Sequence, residues 1–313
     1  MAIKSIQELE FKKTLTALIY GQKGAGKTTL ALSSDPNSLL IDTDNGVDRV
    51  QVEHLLTSKF IQVTTYAELM RDLEEGAKSF STIIVDTMGK LIDIMIEHTR
   101  SENPKYCNPQ GGLSMQGWGV LNNTFKTFCR SVRLMNKNLI FVAHESIEKN
   151  GDINRKIPDV RANNYSLFAT EVDLIGYIEC VGIERTISFN PTDTHDGKNT
   201  GGFDHIIKIP QLKAGQNNNF FYENIVKKHF ENVNNKEKVK EQIADKFKEI
   251  ELLIDAIHSA SGANIFTEEI KKIEHIGTSL EYAKTKFTAK TRELNLKFNK
   301  SIGLYEMENS NEQ

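Results

Sequence analysis

The sequence predicts an α/β fold: a doubly wound, mostly parallel sheet with a β-rich extension and a helical C-terminal region. Three observations carry this. Short apolar runs recur with helical stretches between them, and several of these runs are apolar on both faces, as a sheet covered by helices on each side requires. Beyond residue 173 the alternation gives way to strands and turns, and from about Asn232 to a Lys/Glu-rich helical pattern.

Taken in order, "TALIYG" (16–21) reads as the first strand, and Lys27 to Leu32 starts the first helix. "SLLIDTD" (38–44) and "KFIQVTT" (59–65) are further strands, followed by a helix over Ala67 to Ala77. "STIIVDT" (81–87) is a buried strand, with a helix over Gly89 to His98 after it. A longer helix from Ser114 to Met135 shows Trp118, Leu121, Phe125, Phe128 and Val132 at spacings of three and four, the mark of a core-facing stripe. "NLIFVAHE" (138–145) closes the alternating part, and residues 173–210 supply the β-rich extension. Two domains are expected, 1–231 and 232–313, the second helical with a break at Ser261 to Ala263. The polar end "EMENSNEQ" is expected to be disordered.

Composition bounds the function. Of 313 residues, 39% are hydrophobic and 26% charged, and the net charge is −3, so a nucleic-acid partner would have to meet a local basic patch rather than a global basic field. Cys107, Cys129 and Cys180 are widely spaced with no CxxC pair, which argues against a disulfide framework or a zinc site and fits a reducing cytoplasm. The N-terminal "MAIKSIQELEFKK" lacks the apolar core of a signal peptide, and no apolar run approaches the ~18 residues of a membrane span. A soluble, cytoplasmic protein without membrane partners is expected.

Four stretches carry chemistry. "GQKGAGKT" satisfies G-x-x-x-x-G-K-[ST] between an apolar strand and a helix. Its members Gly21, Gln22, Lys23, Gly24, Ala25, Gly26, Lys27, Thr28 and Thr29 would wrap a nucleotide phosphate. Backbone N–H groups converge on it, Lys27 reaches the β- and γ-phosphates and Thr28 ligates Mg²⁺. In "STIIVDT", Asp86 ends a buried strand and is placed to hold the same Mg²⁺. In "LLIDTDNG", Asp42 and Asp44 follow a strand; they read either as a general base for water or as turn formers before Gly46. In "LIFVAHE", His144 ends a strand and reads as a γ-phosphate contact or a structural histidine.

Together, in order and approximate spacing, "IYGQKGAGKTTLAL", "LIDTDNGVD", "TIIVDTMGKL" and "LIFVAHE" resemble the ATP-binding segments of the RecA-like ATPase core, over roughly Leu15 to Pro210. More closely, the chain resembles phage-encoded RecA-like ATPases often labelled nucleotide-binding or AAA-family, some of which serve in single-strand annealing recombination. The resemblance implies ATP and Mg²⁺ as cofactors and DNA-stimulated ATPase activity. It gives Lys27, Thr28 and Asp86 the phosphate and metal roles, Asp44 the place of the catalytic glutamate, and His144 that of the γ-phosphate sensor. Asp44 is one methylene shorter than glutamate, and His144 replaces the usual glutamine. The resemblance further implies a homo-oligomeric ring or filament with ATP between subunits, single-stranded DNA as partner, a single-strand-binding protein as a possible second partner, and host cytoplasm if the chain is phage-encoded.

By the same resemblance two segments are DNA-facing loops: Arg100 to Gly117, with Lys105 and Tyr106, and Glu145 to Asn164, with Lys149, Arg155, Lys156 and Arg161. Both also read as solvated surface loops of mixed charge. Lys198, in the glycine-flanked "HDGKNTGG" (195–202), resembles the basic residue that RecA-like subunits insert into a neighbour's ATP site, or is a hairpin-tip lysine. Lys284, Lys286, Lys290, Arg292, Lys297 and Lys300 read first as a solvated helix face, with a weak DNA approach as the alternative. The leading expectation is an ATP-dependent protein that anneals or pairs single-stranded DNA. Alternatives are a hexameric helicase or motor, a P-loop kinase of small molecules, and a nucleotide-switched scaffold.

Overall fold

A computed structural model describes residues 8–55, 58–150, 153–160, 165–212 and 218–308. The chain divides into two compact units, Lys12–Asn232 and a second made of Met1–Phe11 with Val233–Gln313.

The larger unit is built on a ten-stranded sheet in the order β10-β8-β7-β1-β5-β4-β2-β3, with β6 beside β5 and β9 beside β7. Here β1 is Thr16–Gly21, β2 Ser38–Asp42, β3 Lys59–Gln62, β4 Thr82–Asp86 and β5 Asn138–Asn150. These and β7 (Leu174–Val181) run parallel, while β6 (Ile153–Pro158), β8 (Glu184–Ser188), β9 (Lys198–Asn199) and β10 (Ile207–Ile209) are antiparallel additions. The expected doubly wound, mostly parallel sheet with a β-rich extension is the architecture found. β1 and β4 are fully buried or nearly so because helices cover both faces.

On one face lie α3 (Tyr66–Gly76), α4 (Met88–Glu102) and α5 (Met115–Leu134), contributing Leu69, Leu73, Leu91, Met95, Leu121, Phe125 and Phe128. Each starts at a side-chain cap: Thr65 with Glu68 in a reciprocal capping box, Thr87 and Ser114. On α5 Leu121, Phe125, Phe128 and Val132 are buried, while Trp118 is only partly covered. The opposite face is covered by α1 (Lys27–Leu32) and by Phe221, Ile225 and Val226.

The registers position the site. β5 lies between β1 and β4, with Gly21 opposite His144 and Asp86 opposite Val142, while Asp42 on β2 lies opposite Asp86. The carboxyl ends of four neighbouring strands therefore line one edge of the sheet, where ligands bind in open α/β sheets.

Three expectations are corrected. The segment after His144 is not a loop: β5 runs thirteen residues and pairs with β6, Glu145 against Pro158 and Asn150 against Ile153, because "ESIEKN" and "INRKIP" alternate well enough to form a ladder. The expected loop over 100–117 is present as the connection between α4 and α5, and it is bonded internally. The Asn108 side chain accepts from the N–H groups of Gln110 and Gly112, and Ser114 donates to Lys105 O. In the second unit the helical break falls at 256–259, before Ser261. There Ser259 caps α8 (Ala260–Glu269) by accepting from the Gly262 N–H. That unit also contains α9 (Ser279–Glu293) and ends in a hairpin of β11 (Leu296–Asn299) and β12 (Leu304–Met307), so Glu306 and Met307 of the expected tail are in a strand, and residues 309–313 lie outside the described ones.

Candidate nucleotide site

Gly21 ends β1 and hands the chain to the glycine loop. A Cβ there would stand 2.6 Å from the carbonyl oxygen of Ile178 on β7, so only glycine lets the loop leave the sheet here. Gly26 immediately precedes α1 with φ 83°, a left-handed conformation that a side chain would strain. Lys27 is 6% exposed, and its ammonium donates to the carbonyls of Gly21 at 3.1 Å and Gln22 at 2.7 Å, pointing it back into the mouth of the loop. Burial lowers its pKa, and the nearby Asp86 and Glu145 carboxylates oppose that shift.

The Thr28 hydroxyl donates to Asp86 Oδ2 at 2.5 Å, joining residues 58 apart in sequence. Burial pushes the Asp86 carboxyl up to about 6, against the Thr28 hydrogen bond, with Asp44 adding like-charge repulsion. A hydroxyl and a desolvated carboxylate in contact form a hard-oxygen pair, and an added cation would neutralise the buried charge. The donor set fits Mg²⁺.

Asp42 and Asp44 separate sharply. Asp42 is 1% exposed, and its oxygens accept from the N–H groups of Gly46 at 2.9 Å and Val47 at 3.2 Å and from Gln62 Nε2 at 3.1 Å. It is a buried turn residue committed to three donors, which argues against it as a general base. Asp44 has one long contact, Arg49 at 3.5 Å, and its charge is felt by both Asp86 and His144. The turn is tied to β4 by Thr43, whose hydroxyl donates to Thr87 O at 3.0 Å and accepts from Thr87 N at 2.8 Å.

His144 stands beside Gly21, and its Nδ1 is buried with no hydrogen-bond partner among the described residues. Burial, Lys27 and Lys23 all lower its pKa, so the neutral imidazole is the resting form near neutral pH. One residue on, Glu145 Oε2 is also buried and unpartnered. These two orphaned atoms lie on the strand next to the phosphate loop, where a bound ligand or water would satisfy them.

Glu145 and Arg185 were not singled out from the sequence. Arg185, on β8, donates from Nε to Ala25 O at 3.1 Å and lies 3.7 Å from where a Cβ on Gly26 would be. The only signal for Glu145 was its adjacency to His144. Arg185 had none, since it lies 160 residues from the loop it braces.

Of the remaining candidates, Lys198, Arg155 and Lys156 are engaged by other partners. The Lys198 ammonium donates to the carbonyls of Ala169 at 3.0 Å and Val172 at 2.6 Å, at and beyond the end of α6 (Tyr165–Ala169). It is inside β9, paired with Ile175, not at a hairpin tip. Arg155 donates to Asp196 Oδ1 at 2.8 Å, and the Lys156 ammonium donates to the Tyr177 hydroxyl at 2.7 Å while lying over its ring. The Tyr177 ring in turn stacks on His195 at 4.9 Å, and Tyr20 donates to Asp196 O at 2.7 Å. Lys149 is exposed near the end of β5, and Lys105 and Tyr106 sit in the short helical turn Pro104–Tyr106. Arg161 lies outside the described residues. Among the described residues no helix is long and apolar enough to cross a membrane.

Comparison with known proteins adds the family. A family model described as an AAA domain matches residues 13–200. Among solved structures, a KaiC-like protein from the hyperthermophilic archaeon Pyrococcus horikoshii OT3 aligns with 10% identity over 64% of this chain and 90% of its own, at a TM-score of 0.37. The RadB recombinase aligns with 16% identity over 59% of this chain and 91% of its own, at a TM-score of 0.35. No curated protein matches the chain. The match over residues 13–200 spans more than half of the 313 residues and includes the phosphate loop, Asp44, Asp86 and His144, and on it the chain belongs to the AAA-domain family.

Proposed function

We propose that the chain binds ATP with Mg²⁺ and hydrolyses it, and that turnover serves an assembly that anneals or pairs single-stranded DNA. The observation that carries the nucleotide half is the contact between Thr28 and Asp86 below the buried Lys27 ammonium. Thr28 and Asp86 would hold Mg²⁺, which when bound offsets the charge of the phosphate oxygens. Lys27 exchanges the carbonyls of Gly21 and Gln22 for phosphate oxygens, an exchange of neutral for charged acceptors that strengthens each bond. Asp44 orients the attacking water and takes its proton, and neutral His144 donates a hydrogen bond toward the γ-phosphate from its unpartnered ring nitrogen.

The DNA half rests on the sequence resemblance and on one supporting feature. β5 is continuous from His144 to Asn150, so a single strand runs from the phosphate site into the hairpin that carries Lys149. A homo-oligomer with ATP between subunits belongs to the same reading.

ATPase rates with and without single-stranded DNA, run beside an annealing assay with complementary oligonucleotides, test both halves. Stimulation together with annealing is the expected result. Turnover with no DNA effect would remove the DNA half and favour a small-molecule kinase or a scaffold, and directional unwinding would favour a motor.

A further inference from the structure

The second unit has a surface that the nucleotide site does not use. Its core joins Ile250 and Ile254 of α7 (Lys227–Asp255), Ala263 and Phe266 of α8, Ala283 of α9 and Leu296 of β11. Phe287 stacks on Phe266 at 4.6 Å and meets Tyr305 of β12 edge-on at 5.2 Å. Asn264 clamps the hairpin to α8: its amide donates to Tyr305 O at 3.0 Å and accepts from Tyr305 N at 2.7 Å. Three helices and a hairpin are thus fixed in one packed module, which holds the outward face of α9 in place.

That face is basic. Ala283, Phe287 and Thr291 turn inward, so Lys284, Thr285, Thr288 and Arg292 face outward, with Glu281 in the first turn. From Lys284 to Lys300 there are six cations (Lys284, Lys286, Lys290, Arg292, Lys297, Lys300) and one carboxylate, Glu293, in a chain of net charge −3. Three of the cations have acidic neighbours: Lys286 with Glu251 at 3.9 Å, Lys290 with Glu293 at 3.3 Å and Lys297 with Glu308 at 3.6 Å. Lys284, Arg292 and Lys300 have no carboxylate at salt-bridge distance among the described residues, and all three are exposed. The outward face of α9 offers no aromatic ring, which a stacking platform for single strands would need. It offers cations on a rigid helix, which suit the regular phosphates of a duplex.

We infer that α9 and the turn of the β11–β12 hairpin form a second nucleic-acid site, one that binds the backbone of double-stranded DNA without reading its sequence. This site is independent of the ATP reading, and its contacts are Lys284, Arg292 and Lys300; the Thr285 and Thr288 hydroxyls beside them donate to the carbonyls of Glu281 and Lys284 and are not counted as contacts.

The test uses the full chain, free of nucleotide, and a fluorescent 20-base-pair duplex titrated over a range of salt. The variant is Lys284→Gln, Arg292→Gln, Lys300→Gln, in which glutamine keeps helix propensity. Wild type should bind with an affinity that falls steeply with salt. Losing three phosphate contacts should make the log–log salt slope shallower by about 2.7 and weaken binding at least ~10-fold at low salt. Lys27→Ala and a control pair, Lys271→Gln with Lys272→Gln, should leave duplex binding at the wild-type level. The inference is overturned if wild type does not bind the duplex, or if the variant keeps its slope with an unchanged melting temperature. It is equally overturned if the three substitutions weaken single-strand binding as much as duplex binding, or abolish binding to anionic phospholipid vesicles while the duplex is unaffected.

Discussion

The phosphate loop and the β5–β6 hairpin sit at the same edge of one sheet, yet they are held in different ways. The loop is shaped by its own backbone: a glycine that must leave β1 under Ile178, a left-handed residue before α1, and a lysine folded onto two carbonyls five and six residues back. The hairpin is held by side chains from afar, Arg155 by Asp196, the Lys156 ammonium by Tyr177 and the Lys156 carbonyl by Tyr20. A locally determined element tolerates change everywhere except at its few fixed positions. A remotely braced one spreads its stability over several exchangeable pairs. The contrast also bears on coupling, because β5 pairs with β1 beside the loop, His144 opposite Gly21, and is also one arm of the hairpin.

The largest expected effect falls on the loop. Lys27→Ala should reduce the ATPase rate by ~10²–10³, since it removes a preorganised cation from the developing phosphate charge. A normal rate in a steady-state assay would break the claim that this loop is the active one. Next comes Asp86→Asn, expected to cost about 10² in rate and to abolish a pH dependence that wild type shows. With the Asp86 carboxyl raised by burial to about 6, Mg²⁺-nucleotide affinity should fall about tenfold per pH unit as pH drops below that value, because only the carboxylate holds the cation. In the ligand-free chain the sign is opposite. The protonated form suits the buried site, so this group's contribution to stability declines as pH rises through about 6, and Asp86→Asn should flatten the decline in thermal melts recorded across pH.

On the hairpin side the effects are smaller. Arg155→Ala, Asp196→Ala and the double variant should give a coupling energy of about 0.5–2 kcal/mol in denaturant melts. DNA-stimulated ATPase should fall severalfold while the basal rate holds. Equal loss of both rates would show that the brace serves the fold alone. The smallest effect on activity belongs to Lys198→Ala. It should lower stability by about 1–2 kcal/mol through two orphaned carbonyls, with the ATPase rate of the folded protein unchanged. A lost rate at unchanged stability would instead revive a role for Lys198 in a neighbouring subunit.

Much of the site was legible from the sequence because its determinants are local. A glycine pattern between an apolar strand and a helix, and acids or a histidine at the ends of buried strands, predict their own placement. The parallel sheet then brings those strand ends to one edge. What the sequence could not separate were residues of the same type in similar surroundings. Asp42 and Asp44 are two positions apart, but one faces three donors and the other looks toward Asp86. Lys198 resembles a hairpin-tip cation until the end of α6 and the residues after it supply the carbonyls of Ala169 and Val172.

The sequence by itself determined the strands, the helices of the core, the phosphate loop and the order of site residues along the chain, since apolar periodicity and glycine spacing act over a few residues. Only the tertiary structure decided which polar groups are spent and which face the ligand. It turned the expected loop into a hairpin, put Arg185 on the loop, left His144 Nδ1 and Glu145 Oε2 without a partner among the described residues, and gave the second unit a strand pair. The physical reason is that a hydrogen-bond partner is chosen by distance in space, and across a sheet of reordered strands that distance bears no simple relation to separation along the chain.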